Sequence, residues 1–211
     1  VGVSNVWDTA AIQSAPDPFT FRVIVHVDEY GVTRLMKEVF LATDPEEGNY
    51  LLASRSDAVT FRAQYPDAPI RRISSANFPF MEPVELNGGS FAAGGDELTA
   101  VVSQSYTNKT NPFVHAYHPD HDNKEFLNGE TSLKESDAVD YESWGVDRDI
   151  SFTFAGSDPI GANAKWNISV AGGTYEESIT GLNKTEVKTS GAFRLNKVSD
   201  VSRIRYVTGG Q

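Results

Sequence analysis

Cysteine is absent from the sequence, which removes disulfide scaffolds, thiolate zinc sites and cysteine nucleophiles together. Positive charge is scarce: 18 Lys and Arg stand against 29 Asp and Glu, for a formal charge of -11. A nucleic-acid binder needs basic side chains to displace phosphate counterions, so nucleic acid is excluded as a partner. No apolar run approaches the roughly 20 residues of a membrane helix, so no membrane span is expected. Catalytic signatures are missing as well: there is no Gly-X-Ser-X-Gly elbow, no His-Glu-X-X-His pair and no Gly-X-X-X-X-Gly-Lys-Ser/Thr loop. Glu176 and Glu177 are adjacent, but successive strand residues face opposite ways, so they read as one outward and one edge-facing acid. The chain is therefore read as a non-enzyme.

What is present favours β structure. Apolar residues make up 39% of the 211-residue chain, enough for a real core. Gly 17 and Pro 10, with many Thr, Ser, Asn and Asp residues, favour short strands joined by turns. Residues 1–18, closed by Pro16-Asp17-Pro18, read as an N-terminal arm or edge strand, and residues 19–211 as one domain, since no linker interrupts them. Phe21, Val23, Val25 and Val27 fall on one strand face, which puts His26 on the opposite, surface face. The turn at Asp28–Gly31 returns the chain as a single second strand, Val32–Leu41. Ser56–Tyr65 reads as a short helix capped by Ser56 or Asp57 and stopped by Pro66.

Further strand faces follow at Leu98, Ala100 and Val102; at Ile150, Phe152 and Phe154; and at Trp166, Ile168 and Val170. Tyr175–Ile179, then Val187, Thr189, Gly191, Phe193 and Leu195, and a last strand at Arg203–Val207 complete the series. Roughly nine to eleven short strands with turn signals between them predict an all-β fold, an antiparallel β-sandwich of jelly-roll or immunoglobulin-like type. Long loops and at most one or two short helices are expected beside it.

Three of the four histidines lie within seven residues, in Asn111-Pro-Phe-Val-His115-Ala-Tyr-His118-Pro-Asp120-His121-Asp122-Asn123. Imidazole nitrogens and carboxylate oxygens at His115, His118, Asp120, His121 and Asp122 form a donor set for a divalent metal, calcium or zinc. The same residue types beside Pro119 also suit a hydrogen-bonded turn with no ion, and both readings stand. Sugar rings stack on flat aromatic side chains, which makes Tyr141 and Trp144, in an acidic segment, the candidate glycan contacts. Trp166 and Tyr175, on strand faces, read as core. Asn108, Asn167 and Asn183 each open an Asn-X-Ser/Thr sequon and are the candidate glycosylation sites.

The histidine string, together with Arg72-Ile-Ser-Ser-Ala-Asn-Phe78, Gly173-Thr-Tyr-Glu-Glu-Ser-Ile-Thr-Gly-Leu182 and Gly191-Ala-Phe-Arg-Leu195, resembles an uncharacterised β-rich domain. That domain recurs in large secreted, surface-associated proteins of environmental bacteria, and the resemblance spans roughly residues 20 to 198. It implies export to the cell surface and transfers no catalytic residue. The expected function is that of a non-catalytic extracellular structural protein, a subunit or module of a surface fibre or envelope assembly. Its partners would be copies of itself or other surface proteins, joined by strand addition of the N-terminal arm. The alternative is a carbohydrate-binding module that takes polysaccharide, with a metal-dependent hydrolase as a third reading.

Overall fold

The computed structural model describes residues 2–7, 14–75, 83–88, 95–104, 146–181 and 185–205. In chain order the elements are β1 (Gly2–Trp7), β2 (Ser14–Thr20), β3 (Ile24–Val27), β4 (Thr33–Met36), β5 (Glu38–Asp44), β6 (Gly48–Leu52), α1 (Arg55–Gln64), β7 (Ile70–Ser74), β8 (Val84–Gly88), β9 (Glu97–Gln104), β10 (Val146–Phe154), β11 (Val170–Thr180), β12 (Val187–Asn196) and β13 (Ile204–Arg205). The fold is all-β and sandwich-like, as the strand periodicity predicts, with antiparallel sheets, one of them curled into a half-barrel, and one short helix among the described residues. Two compact units are formed, Val1–Thr20 with Gly88–Leu195, and Phe21–Asn87 with Asn196–Gln211. Two of the boundaries fall inside β8 and β12 rather than in a linker, so composition shows no break there.

In the first unit the strand order is β2-β1-β12-β11-β10-β9. Every second residue of β10 is buried, from Val146 through Arg148, Ile150 and Phe152 to Phe154. Ile150 stands opposite Ala100 on β9 and Glu177 on β11, and Phe152 opposite Leu98 and Tyr175. Side chains directly opposite share a sheet face, so these rows join into one continuous core face. Burying each large apolar side chain contributes about 1.5–3 kcal/mol.

The strand expected through Trp166, Ile168 and Val170 is not formed. Asn163 turns the chain first: its Oδ1 accepts the Lys165 amide at 2.9 Å and its carbonyl the Trp166 amide at 3.0 Å. The Lys165 carbonyl then accepts the amides of Ile168, Ser169 and Val170 at 3.0–3.1 Å. One side-chain and four backbone turn bonds compete with a ladder here, and they win. Ile168 is left 79% exposed, Trp166 half-buried, and only Val170 enters a strand.

The second unit has three layers. Strands β8-β4-β3 form one sheet and β13-β6-β5-β7 the other. Alternation along β5 sends Val39 and Leu41 to a core shared with Ile24, Met36, Leu51, Val201 and Ile204, which lies between the two sheets. Phe40 and Ala42 go to the opposite face, where Tyr50 and Leu52 pack on Ala58 and Phe61 of the helix. Both faces of β5 and β6 are therefore buried, which is why their sequence reads as nearly continuous apolar runs.

Two strand expectations are corrected here. The returning strand Val32–Leu41 divides into β4 and β5, because β4 pairs with β3 and β8 while β5 pairs with β6 and β7 in a different sheet. At the break, the Lys37 carbonyl accepts the Ser75 amide at 2.9 Å and the Ser75 hydroxyl at 2.8 Å. The inward face of β3 is also the reverse of the one expected. Ile24 joins the core and His26 is buried, while Val27 is exposed at the hairpin end.

The helix forms as expected with its cap moved back two residues, to Ser54. Ser54 Oγ accepts the Asp57 amide at 3.1 Å and donates to the Asp57 carboxylate at 2.6 Å, whereas Ser56 lies within the helix. The other end closes on the Tyr65 amide, donated to the Phe61 carbonyl at 2.8 Å, just before Pro66. Ser54→Ala removes both side-chain bonds of the cap. It is expected to lower stability by about 1 kcal/mol, read as a shift in the urea midpoint with the slope unchanged.

Candidate functional site

The His/Asp loop (His115, His118, Asp120, His121, Asp122), the aromatic pair Tyr141 and Trp144, and the sequons at Asn108 and Asn183 lie outside the described residues. Among the described residues, no group of three or more His, Cys, Asp or Glu is placed to hold a metal ion. Asn167 is described, at φ +60° on the exposed turn before β11. Asparagine is one of the few non-glycine residues that enter this region readily. Its amide donates to the Val170 carbonyl at 2.8 Å, and the Trp166 indole N–H to the Gly156 carbonyl at 3.2 Å.

Of the ionisable groups with the strongest tertiary constraints, only Glu177 is singled out by sequence as an acid, and in another setting. In the first unit, Arg148 on β10 and Glu177 on β11 are both buried, and the guanidinium Nε donates to Glu177 Oε1. Tyr175, two residues before Glu177 on the same strand face, donates its hydroxyl to Oε2 at 2.7 Å. Thr189 on β12 adds a longer bond to the same oxygen at 3.4 Å. Glu177 is thus an inward acid, neither the outward nor the edge-facing one expected of the Glu176–Glu177 pair, because two cross-strand donors and one from its own strand converge on it. Burial first, and then the Glu177 carboxylate, push the Tyr175 phenol far above its ordinary range. The phenol therefore stays a donor at neutral pH and does not serve as a general base. The sequence signal for this cluster is an arginine at a buried position of the β10 alternation, which demands a buried partner.

In the second unit, Asp44 ends β5 with its side chain almost wholly enclosed. Its Oδ1 accepts the amides of Glu46 at 2.8 Å and Glu47 at 3.1 Å, closing the β5–β6 turn. The Glu46 amide leads, with the Glu47 amide and the Arg205 charge adding to it, in holding this carboxyl below its usual range. Arg205 lies 3.7 Å from Asp44 and 3.4 Å from Glu47, and Arg203 donates to Glu47 at 2.7 Å. Both guanidinium groups sit over the buried Tyr50 ring, 5.3 Å and 5.9 Å from its centroid. Together with the Leu51 amide, which donates to the Arg203 carbonyl at 2.9 Å, they clasp two-residue β13 against β6. Neither cluster pairs a poised acid with a free base; both hold strands.

The N-terminal segment is the remaining element with a functional geometry. β1 lies between β12 and β2. Its register with β12 places Gly2 opposite Ala192, Val3 opposite Gly191 and Trp7 opposite Lys188. The pairing shifts register between Val3 and Asn5 on both sides. Backbone pairing along residues 2–7 attaches the segment to β12. β2, at the outer edge, carries Pro16 and Pro18. Prolines two residues apart remove two amide donors from the same side of a strand, and the β1 register uses Ser14, Phe19 and Thr20 instead.

No family model, no curated protein and no solved structure matches this chain.

Proposed function

We propose that the chain is a non-catalytic structural module of an extracellular surface or fibre-type assembly, joined to further copies by exchange of the β1–β2 hairpin. The observation that carries this reading is the closure of the β12 edge by residues 2–7, a segment 186 positions away in sequence at the Ser4 hydroxyl, which donates to the Ser190 carbonyl. A hairpin joined to β12 by strand pairing can leave its own β12 and close that of a neighbour with the same bonds, so exchange costs little at equilibrium. The proline-bearing outer edge of β2 disfavours sheet growth at that side, which makes the β12 edge the junction. The two buried charge clusters support a structural role, because each fixes strands and neither presents a reactive group. The extracellular setting rests on the resemblance.

The absence of cysteine makes the test clean. One chain carrying Val3→Cys and a differently tagged chain carrying Gly191→Cys are mixed at high concentration and oxidised. These positions are register partners, within the Cα separation a disulfide accepts. A disulfide joining the two tags is expected, growing with concentration and accompanied by multimers in light scattering. Mixed chains that remain monomeric and unlinked across tags, while the double variant Val3→Cys/Gly191→Cys closes within itself, would show that the hairpin does not exchange.

A further inference from the structure

His26 is the buried titratable group that neither cluster above accounts for. It is 94% shielded from solvent, at 6% exposure, and among the described residues neither ring nitrogen makes a well-formed hydrogen bond, although the backbone of Val201 and Ser202 lies close enough to favour the charged ring. Burying a polar ring unpartnered is costly, and burying its cation costs more. Its strand packs on the segment that leads into β13: Ile24, Val201 and Ile204 share one core, and the backbone of Val201 and Ser202 faces the imidazole. Among the described residues that segment is attached to β6 by the pairing of Ile204 and Arg205, the Leu51 amide on the Arg203 carbonyl and the clasp at Tyr50.

The charges around His26 are already engaged. Arg34, its register partner on β4, pairs at 2.5 Å with Asp28, at the end of its own strand. Glu85 on β8, opposite Arg34, is exposed. On the facing segment, Lys197 pairs with Asp200, Arg203 with Glu47, and Arg205 with Asp44 and Glu47. A proton on the imidazole would find nearby carbonyls, while the Asp28 carboxylate that favours it is already paired with Arg34.

We propose that His26 is an acid-operated release: protonation drives the ring out of the core and frees the segment 196–205, with β13, from β6. This device belongs to the second unit alone and does not depend on hairpin exchange. Burial lowers the imidazole below its ordinary 6.5 and outweighs the Val201 carbonyl and Asp28, which favour the cation. The sign follows from linkage. The unfolded or released chain takes up its proton near 6.5, while the folded ring resists until a lower pH. Closure is therefore undiminished above that value and weakens as pH falls through the interval below it, by up to about tenfold per pH unit for one proton. Asp28 and Asp44 are both held below 3.8, so their loss belongs to a more acid range.

The test is hydrogen exchange by mass spectrometry on the full chain at about pH 7.5 and about pH 5.5, corrected for intrinsic rates. Residues 199–205 and Tyr50–Leu52 are expected to lose protection at the lower pH in the native protein, about tenfold or more relative to β9–β12. His26→Leu fills the site without a titratable group and should show protection there that does not change with pH. Equal pH dependence in the native protein and His26→Leu, or none in either, overturns the proposal. If His26→Leu does not fold, NMR titration of the native imidazole decides it. A ring that titrates at or above 6.5 with no change at the amides of 199–205 also overturns it.

Discussion

Glu177→Ala is expected to destabilise the first unit by about 3–5 kcal/mol, the cost of leaving a buried charge without its counterion. Arg148 and Glu177 have side chains only 8% and 4% exposed, so solvent cannot replace the missing carboxylate. The rows around them are apolar: Arg148 stands between Val102 and Ile179, and Glu177 opposite Ile150. The truncation also removes the acceptor of the Tyr175 hydroxyl, which is itself fully buried. A triple change, Arg148→Met, Glu177→Leu and Tyr175→Phe, removes all three polar groups together. It should recover most of the loss, because replacing a buried ion pair by apolar groups of like volume is often neutral or stabilising. Urea unfolding followed by tryptophan fluorescence measures both. A Glu177→Ala protein within about 1 kcal/mol of the parent would mean that the pair is hydrated and not buried.

Phe193→Ala is expected to cost a similar 3–5 kcal/mol, the usual range for emptying a buried aromatic site. The Phe193 ring has no exposure and meets Phe152 and Phe154 edge-on, at centroid distances of 5.1 Å and 5.2 Å. Phe152 in turn packs on Tyr175 at 5.2 Å, so one truncation opens a cavity beside two rings and removes support from a third. The cavity cannot close easily. β11 carries Gly172 and Gly173 where a Cβ would overlap the carbonyl oxygens of Phe193 and Thr153 respectively, so these strands are already at closest approach. Phe193→Leu should lose less than half as much as the alanine variant, since most of the volume is kept. Val101→Ala on β9, whose side chain is 59% exposed, is the control and should stay within about 0.5 kcal/mol. Equal losses at Phe193 and Val101 would show that the ring cluster is not the packing centre of this unit.

Much of the strand structure was legible because it is written with a local period. On β9, β10 and β12 the alternation of apolar and polar residues picks out the inward face correctly, and side chains that alternate in sequence alternate in space whatever strand lies beside them. The turn at Asp28–Gly31 and the helix before Pro66 were legible for the same reason, since Asx turns, caps and helix stops are made by residues within a few positions of one another. The acidic charge, the missing cysteine and the catalytic motifs not found belong to the sequence outright.

Tertiary structure decided the choices that need a partner from elsewhere in the chain. His26 and Val27 offer both faces of β3 to burial, and only the packing of Ile24 on Val201 and Ile204 selects His26 as the inward residue. Glu177 belongs to an acidic pair read as outward and edge-facing, and is buried once Arg148, Tyr175 and Thr189 aim donors at it from β10, β11 and β12. The division of residues 32–41 at Lys37, the parallel seating of β13 on β6 and the closing of β12 by residues 2–7 are likewise pairings across long stretches of chain. Periodicity fixes which residues share a face, because that follows from backbone geometry alone. Which face is buried, and which charge is tolerated there, depends on the free energy of desolvation against partners that no local window contains.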